Sequence, residues 1–383
     1  MGRRRTQSQM SEPIAAPAFG FGFGFGFGFG FAFPFILAFA LTLLGTLVLC
    51  WFYLRLATAR RWVRPVTARD LHIRPTVSGG GVGAALAIGA ALLALPALGV
   101  PLPSPGTTLG LVAVLAIIGF IDDHRPLPST LKLLLQAGGI ALFWQLQPVG
   151  VKFDAISGLA LVALLFVGQL WWINLVNFMD GADGFAPTQI ALGVIGAGLG
   201  LLLLPPPATA AAGEPLILAA LVLGAALGVL AFTRPRARMF MGDCGALVLA
   251  GLVLVLAAEA RDAGLALAQV SVFFSLFIAD ASITLLSRTI SGRNPFKAHR
   301  DHGYQRFILR SQTRALRQGL EPEAARTRAH RRALLWLVAL NAAVVIPLGL
   351  VAIALDHTSA AIAVHLLVFI GVGLVRFGFQ RAH

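Results

Sequence analysis

The stretch NLVNFMDGADGF, residues 174–185, spaces Asn174, Asn177, Asp180 and Asp183 three residues apart and follows a long apolar run. Three more polar motifs interrupt an otherwise apolar chain: GFIDDHRPLPS (119–129), RMFMGDCGA (238–246) and NPFKAHRDHGYQRF (294–307). Asp122, Asp123, Asp180, Asp183 and Asp243 each stand at the end of an apolar run. Carboxylates beside a bilayer are costly unless something compensates them. Several together repel one another, so a bound cation is the natural compensation. Hard oxygen donors suit Mg²⁺, which is usually held by one or two carboxylates plus substrate phosphates. The pattern points to a site for a metal and a phosphorylated ligand.

A spacing of three turns about 300° around a helix, so such a stripe drifts and four members cannot share one narrow face. Asn174 and Asn177 read as the last turn of a helix, with Asp180 and Asp183 in the loop beyond it. Gly181 and Gly184 let that helix end and let backbone approach a ligand. The fourth motif gathers Lys297, His299, Arg300, His302, Tyr304 and Gln305. A His-x-x-His pair suits zinc, but no cysteine or third close histidine supports that here. Beside acidic metal ligands, these donors read as binders of anionic phosphate oxygens. Lys132, at the mouth of a helix after the DD pair, reads as another phosphate contact. SGGGVG (78–83) offers backbone N–H groups to a phosphate but lacks the Lys-Ser/Thr of a P-loop. Asp280, inside an apolar run, is expected to be functional or internally paired. Arg310, Arg314, Arg317, Arg326, Arg328, Arg331 and Arg332 read as a basic surface.

The elements that must carry these motifs are membrane helices. Of 383 residues, 57% are hydrophobic and 12% charged, and mean hydropathy is +0.83. A soluble domain of this size needs more charge to cover its surface. Eleven apolar runs are long enough to span a bilayer, near 32–54, 81–100, 107–121, 131–147, 157–177, 185–204, 215–232, 245–260, 266–287, 333–354 and 358–376. The expected fold is therefore all-α and polytopic, with residues 32–383 as one membrane domain. Residues 1–31 form a low-complexity Gly/Phe-rich segment to which no helix is assigned. The net charge of +14 is read as membrane orientation rather than nucleic-acid binding. One set of alternating loops holds 25 of the 30 Lys and Arg residues. Basic loops stay cytoplasmic, which predicts an outside N-terminus, a cytoplasmic C-terminus and all four motifs on the cytoplasmic side. Cys50 and Cys244 fit neither a disulfide framework nor a zinc site.

Taken together and in this order, the motifs resemble the polyprenyl-phosphate N-acetylhexosamine-1-phosphate transferase family (glycosyltransferase family 4). The resemblance covers roughly residues 72–307. The DDHRPLPSTLKLLLQ and HRDHGYQR segments look most like the branch that begins O-antigen or related surface-polysaccharide repeats. It implies transfer of a sugar 1-phosphate from a UDP-N-acetylhexosamine to undecaprenyl phosphate at the bacterial inner membrane. UMP is released, and Mg²⁺, with Mn²⁺ as a substitute, serves as cofactor. Homodimers are common in the family. The resemblance makes Asp122 the base toward the lipid phosphate, with Asp123 beside it, and Asp243 a metal ligand. Asp180, the second expected metal ligand, shapes the nucleotide pocket with Asp183 and Asn177. Phe240 stacks on uracil, His299 and His302 hold the diphosphate, Arg300 and Gln305 contact substrate, and Lys132 meets the phosphate from the other side. Two departures stand out: Ala246 where the family has Ser in GDxGS, and PTVSGGG where it has PTPRGGG.

The competing reading is a polytopic transporter of an anionic substrate. Carriers place their sites near the bilayer midplane, often between repeated halves. Here the polar residues lie at one surface and no internal repeat is visible.

Overall fold

The first helix, α1 (Phe25–Ala59), starts inside the Gly/Phe repeat and continues through the first apolar run. The computed structural model describes residues 25–64, 71, 75–146, 156–205, 212–294 and 299–381. Residues 1–24 of the repeat and Lys297 of the fourth motif lie outside the described residues. After α1 come α2 (Gly81–Ala97), α3 (Pro105–His124), α4 (Ser129–Leu146), α5 (Ile156–Met179), α6 (Phe185–Leu202), α7 (Gly213–Thr233) and α8 (Gly242–Asp262). The chain continues through α9 (Leu267–Val272), α10 (Ser275–Ile290), α11 (Gly303–Arg317), α12 (Pro322–Leu340), α13 (Ile346–Ala354) and α14 (Thr358–Arg381). Among these residues the β pairing is confined to a two-residue antiparallel ribbon, Val63–Arg64 against Thr76–Val77, and an isolated bridge from Val77 to Met239.

Among the described residues, eight helical segments are long and apolar enough to cross a membrane: Ala32–Ala59, Pro105–His124, Gly158–Met179, Phe185–Leu202, Gly213–Thr233, Gly242–Asp262, Pro322–Ala354 and Thr358–Arg376. The protein is a polytopic membrane protein. The three other expected spans take different forms. Residues 81–100 give the 17-residue α2, and 131–147 give the 18-residue α4. Residues 266–287 break at Phe273–Phe274 into α9 and α10. The expected 288–332 loop holds two helices, α11 and most of α12. Their basic, amphipathic sequence escapes a search for apolar runs. A π-helical segment, Asn341–Val345, joins α12 to α13. There Asn341 and Gln189 exchange side-chain hydrogen bonds of 2.9 and 3.2 Å.

The packing is that of a membrane bundle. Large apolar side chains such as Leu93, Leu164 and Leu374 stand exposed on the outside, where lipid replaces water. The centre is α8, whose Ala246–Leu252 stretch is wholly buried. It is packed against by α2, α3, α5, α6, α7 and α9. Close approach depends on small residues, as is general for helices in lipid. Gly119 of α3 lies so near the start of α8 that a Cβ there would sit 2.4 Å from the Cys244 Cα.

Backbone cannot yield as a flexible side chain does. Gly119→Ala should therefore push α3 from α8 and lower stability by about 1–3 kcal/mol, the usual range for overpacking. Thermal unfolding of the purified protein in detergent will show this as a fall in midpoint. An unchanged midpoint would mean that the two helices are not in this contact.

Candidate active site

The site begins with an unusual helix cap. The first N–H groups of a helix need acceptors, and a short polar residue just before the helix normally supplies one to the second or third N–H. In α8 that position is Met241, which makes no side-chain cap. Asp123, from the end of α3, takes over. Its Oδ1 accepts the Asp243 N–H at 3.0 Å and its Oδ2 accepts the Cys244 N–H at 3.1 Å. Gly242 makes room, with φ +72° and no Cβ, since a Cβ would lie 2.5 Å from the Asp123 carboxylate. The chain places Asp122 and Asp243 side by side as a result.

Lys132, in the first turn of α4, donates to Asp122 Oδ2 at 3.0 Å and to Asp243 Oδ2 at 2.5 Å. The Asn177 amide, at the end of α5, donates to the same Asp243 oxygen at 3.0 Å. The Leu127 N–H donates to Asp122 Oδ1 at 2.8 Å, and the prolines of HRPLP turn the chain so that it can. Below, Asn174 donates to Gln136 Oε1 at 2.7 Å and ties α5 to α4. Asp122, Asp123, Lys132, Asn177 and Asp243 thus converge from four helix ends.

The second half of the site is the His loop, and it is built the same way. Asp280, within α10, accepts the Gly303 N–H at 2.6 Å and the Tyr304 N–H at 3.0 Å. It caps α11 from a neighbouring helix. Just before that cap, His302 is buried and its ring centroid lies 4.9 Å from that of His299. The His299 Nδ1 accepts the Asp301 N–H at 3.2 Å, which leaves the ring proton on Nε2. Partial burial, then His302 and Arg288, push the His299 imidazole down to about 4. Burial also lowers His302, against the opposing pull of Asp280. Burial would raise Asp301, but Arg288 and Arg306 hold it below the usual carboxylate range. That carboxylate meets Arg288, with Arg293 at 3.3 Å and Arg306 at 3.2 Å.

Tyr304 joins the two halves. Its hydroxyl donates to the Phe178 carbonyl at 3.2 Å and accepts the Gly181 N–H at 3.1 Å, and its ring stacks on Phe185. Burial and the charges of Asp280 and Asp180 raise its pKa, so it stays a neutral phenol. Asp180 is half-buried beside this tyrosine, with its N–H bonded to the Asn177 carbonyl at 3.2 Å. Gln305 is buried, and Arg300 is half-buried between the two histidines.

Three expectations need correction. Asp183 does not face a nucleotide pocket. It is 2% exposed, paired with Arg326, 3.4 Å from His330 Nδ1 and bonded by the Ala237 N–H at 3.3 Å. Arg326, read as surface, is the buried partner, and it also donates to the Leu71 carbonyl at 3.0 Å. The glycine loop is not a free phosphate cradle, because the Gly80 and Gly81 N–H groups already donate to the Phe240 and Met241 carbonyls at 3.0 and 2.8 Å. Phe240 is held through its main chain, with its N–H on the Val77 carbonyl at 2.8 Å and its ring half-buried. Sequence reasoning also passed over Asp301 as the hub of the arginines, and over His330. Arg326 and His330 share one face of α12 at a spacing of four, a signal that was legible.

The expected metal pair, Asp243 and Asp180, is not part of a closed metal cage. Among the described residues no group of three or more His, Cys, Asp or Glu side chains gathers as one. The Asp122 and Asp243 oxygens do converge on a single cation, the Lys132 ammonium. Two carboxylates around one cation fit the demands of Mg²⁺, whose remaining positions water and substrate phosphates fill.

Residues 106–260, which contain three of the four motifs, match glycosyl transferase family 4. The chain is 31% identical over 284 residues to a decaprenyl-phosphate N-acetylglucosaminephosphotransferase of Mycobacterium tuberculosis, covering 63% of this chain and 67% of that protein. It is 29% identical over 286 residues to the protein of that name from Mycolicibacterium smegmatis, with the same coverage. A phospho-N-acetylmuramoyl-pentapeptide-transferase of Streptococcus thermophilus is 32% identical over 182 residues, 42% of this chain and 51% of that protein. This class is one of membrane-embedded glycosyl transferases. Within it, the chain belongs to the polyprenyl-phosphate hexosamine-1-phosphate transferase family.

Arg326→Leu should strand the buried Asp183 carboxylate and cost about 3–5 kcal/mol, as breaking a buried pair does. Adding Asp183→Leu should return part of the loss. Thermal unfolding of the single and double variants checks this, and equal losses in both would mean that the pair is not the cause. The lowered His299 gives a pH signature. Its contribution to stability is complete above its ordinary value of 6.5 and is lost as pH falls toward about 4, because the unfolded chain takes up the proton first. Between pH 7 and 4, wild type should lose unfolding temperature faster than His299→Gln; parallel curves would contradict the assignment.

Proposed function

We propose that the enzyme transfers an N-acetylhexosamine 1-phosphate from a UDP-sugar to a polyprenyl phosphate, undecaprenyl phosphate in a bacterium, and releases UMP. In this reading the site faces the cytoplasm at the inner membrane, and the reaction opens assembly of O-antigen or a related surface polysaccharide. The N-acetylglucosaminephosphotransferases, matched over two thirds of their length, support an N-acetylhexosamine donor. The excess of basic residues in the loops on the motif side supports the orientation.

One observation carries the proposal. An acidic corner (Asp122, Asp243) and a loop of two uncharged histidines (His299, His302) beside the arginines around Asp301 are joined through Tyr304 at one end of a membrane bundle. A lipid phosphate arrives at such an end with its tail between helices. One of its oxygens attacks the sugar-bearing phosphorus, a new P–O bond forms, and the bond from that phosphorus to the UMP oxygen breaks. Such transfers need alignment and charge neutralisation more than covalent help. Asp122 takes any proton left on the lipid phosphate, its orientation fixed by Leu127 N–H and Lys132. Lys132 can turn its ammonium to the attacking phosphate. Asp123, with both oxygens engaged by α8, positions Asp243 rather than touching substrate. His299, with its proton on Nε2, donates to a diphosphate oxygen. Among the described residues, Arg288, Arg293 and Arg306 surround the Asp301 carboxylate, and Arg376 donates to the Asp301 carbonyl. That positive excess suits an anionic diphosphate. Mg²⁺, or Mn²⁺ in its place, would be held by Asp243 and Asp122 and would neutralise charge on the transferring phosphate.

The test uses membranes containing the protein and a panel of UDP-N-acetylhexosamines labelled in the sugar. Label should enter an organic-extractable product with one UMP released per sugar. Asp122→Asn and Asp243→Asn should each lower the rate at least about 100-fold, the lower end for general acid–base catalysis, in protein that still inserts. No lipid-linked label from any sugar in the panel would refute the proposal.

A further inference from the structure

Arg376 ends the apolar stretch Thr358–Arg376 of α14, in which most of the other side chains face outward. It lies far beyond the segment that matches the family, and the proposed chemistry assigns it no role beyond its charge. Yet its side chain is 1% exposed. A buried cation is expensive unless it is held by acceptors, so its contacts matter. The Arg376 Nη1 donates to the Asp301 carbonyl at 3.1 Å and to the Thr284 hydroxyl. That hydroxyl donates in turn to Asp280 Oδ1 at 3.2 Å. Asp280 accepts the Gly303 and Tyr304 N–H groups that begin α11.

We infer that Arg376 is a positioning residue for the anion-binding His loop, on which the proposed transfer depends. One guanidinium grips the loop twice: directly at the carbonyl between His299 and His302, and through Thr284 and Asp280 at the helix start just after His302. The two histidines are thereby held from both sides by a helix remote in sequence. The Arg376 Nε and Nη2, and the His302 Nδ1, find no hydrogen-bond partner among the described residues. The last helix thus sets the affinity for the nucleotide-sugar, and leaves the lipid acceptor, met by Asp122 and Lys132, unaffected.

The experiment compares wild type, Arg376→Ala, Arg376→Lys and the shape-conserving Thr284→Val in detergent, by transfer kinetics and by hydrogen–deuterium exchange. In Arg376→Ala the KM for the UDP-sugar should rise about 10- to 100-fold, the loss expected for a charge-assisted hydrogen bond. The KM for polyprenyl phosphate should stay within twofold. Arg376→Lys and Thr284→Val should move the same way by less, and added methylguanidinium should recover part of the Arg376→Ala loss. Amides of residues 299–306 should exchange faster in each variant, a readout that needs no turnover and therefore stands even if wild type transfers no sugar. If Arg376→Ala does not fold, Thr284→Val carries the same test. Unchanged exchange at 299–306, or equal rises in KM for both substrates, overturns the inference.

Discussion

Everything in the site depends on the carboxylate of Asp123 lying across the start of α8. That helix is buried along most of its length, and donors left without acceptors at its part-buried start are costly. The residue before the helix, Met241, offers no acceptor. A carboxylate from α3 solves the problem and also meets the positive end of the helix dipole. The bond does more than stabilise. Asp122 is the neighbour of Asp123 on α3, and Asp243 is the residue whose N–H is capped. One hydrogen-bonded pair therefore fixes the spacing of the two carboxylates proposed to act.

The same solution appears at α11, where Asp280 of α10 caps a helix whose own preceding residue, His302, turns its ring elsewhere. In both places a helix end is capped by a carboxylate from a neighbouring helix rather than by the residue before it. The Tyr304 hydroxyl, bonded to Phe178 and Gly181, ties the start of α11 to the turn that follows Asn177, whose amide holds Asp243. The arrangement separates charge: negative at the ends of α3 and α8, positive around Asp301. A diphosphate donor with a metal at one side fits such a gradient.

Much of this was legible in the sequence. Membrane helices show themselves by apolar length, and aspartates at their ends are conspicuous because lipid makes them expensive. Asp122, Lys132, Asn177 and Asp243 do converge, and His299 and His302 of the fourth motif lie together. What could not be read was how partners divide among similar residues. Asp180 and Asp183 look alike in DGADG, but one lies beside Tyr304 and the other is buried against Arg326. Nothing local distinguishes them, since Arg326 is 143 residues away. Helix α11 and the basic first half of α12 were missed because hydropathy sees only apolar runs. Arg376 was overlooked as one more charge at a membrane surface, when burial, invisible in sequence, is what sets it apart.

The lysine between Asp122 and Asp243 has a consequence for biogenesis. As α3, α4 and α8 leave the insertion machinery and meet, the acidic corner brings its own counter-charge from the chain. Assembly of the bundle therefore need not wait for a small ion, and the newly made protein can settle in the membrane whatever the cell's supply of divalent cations at that moment.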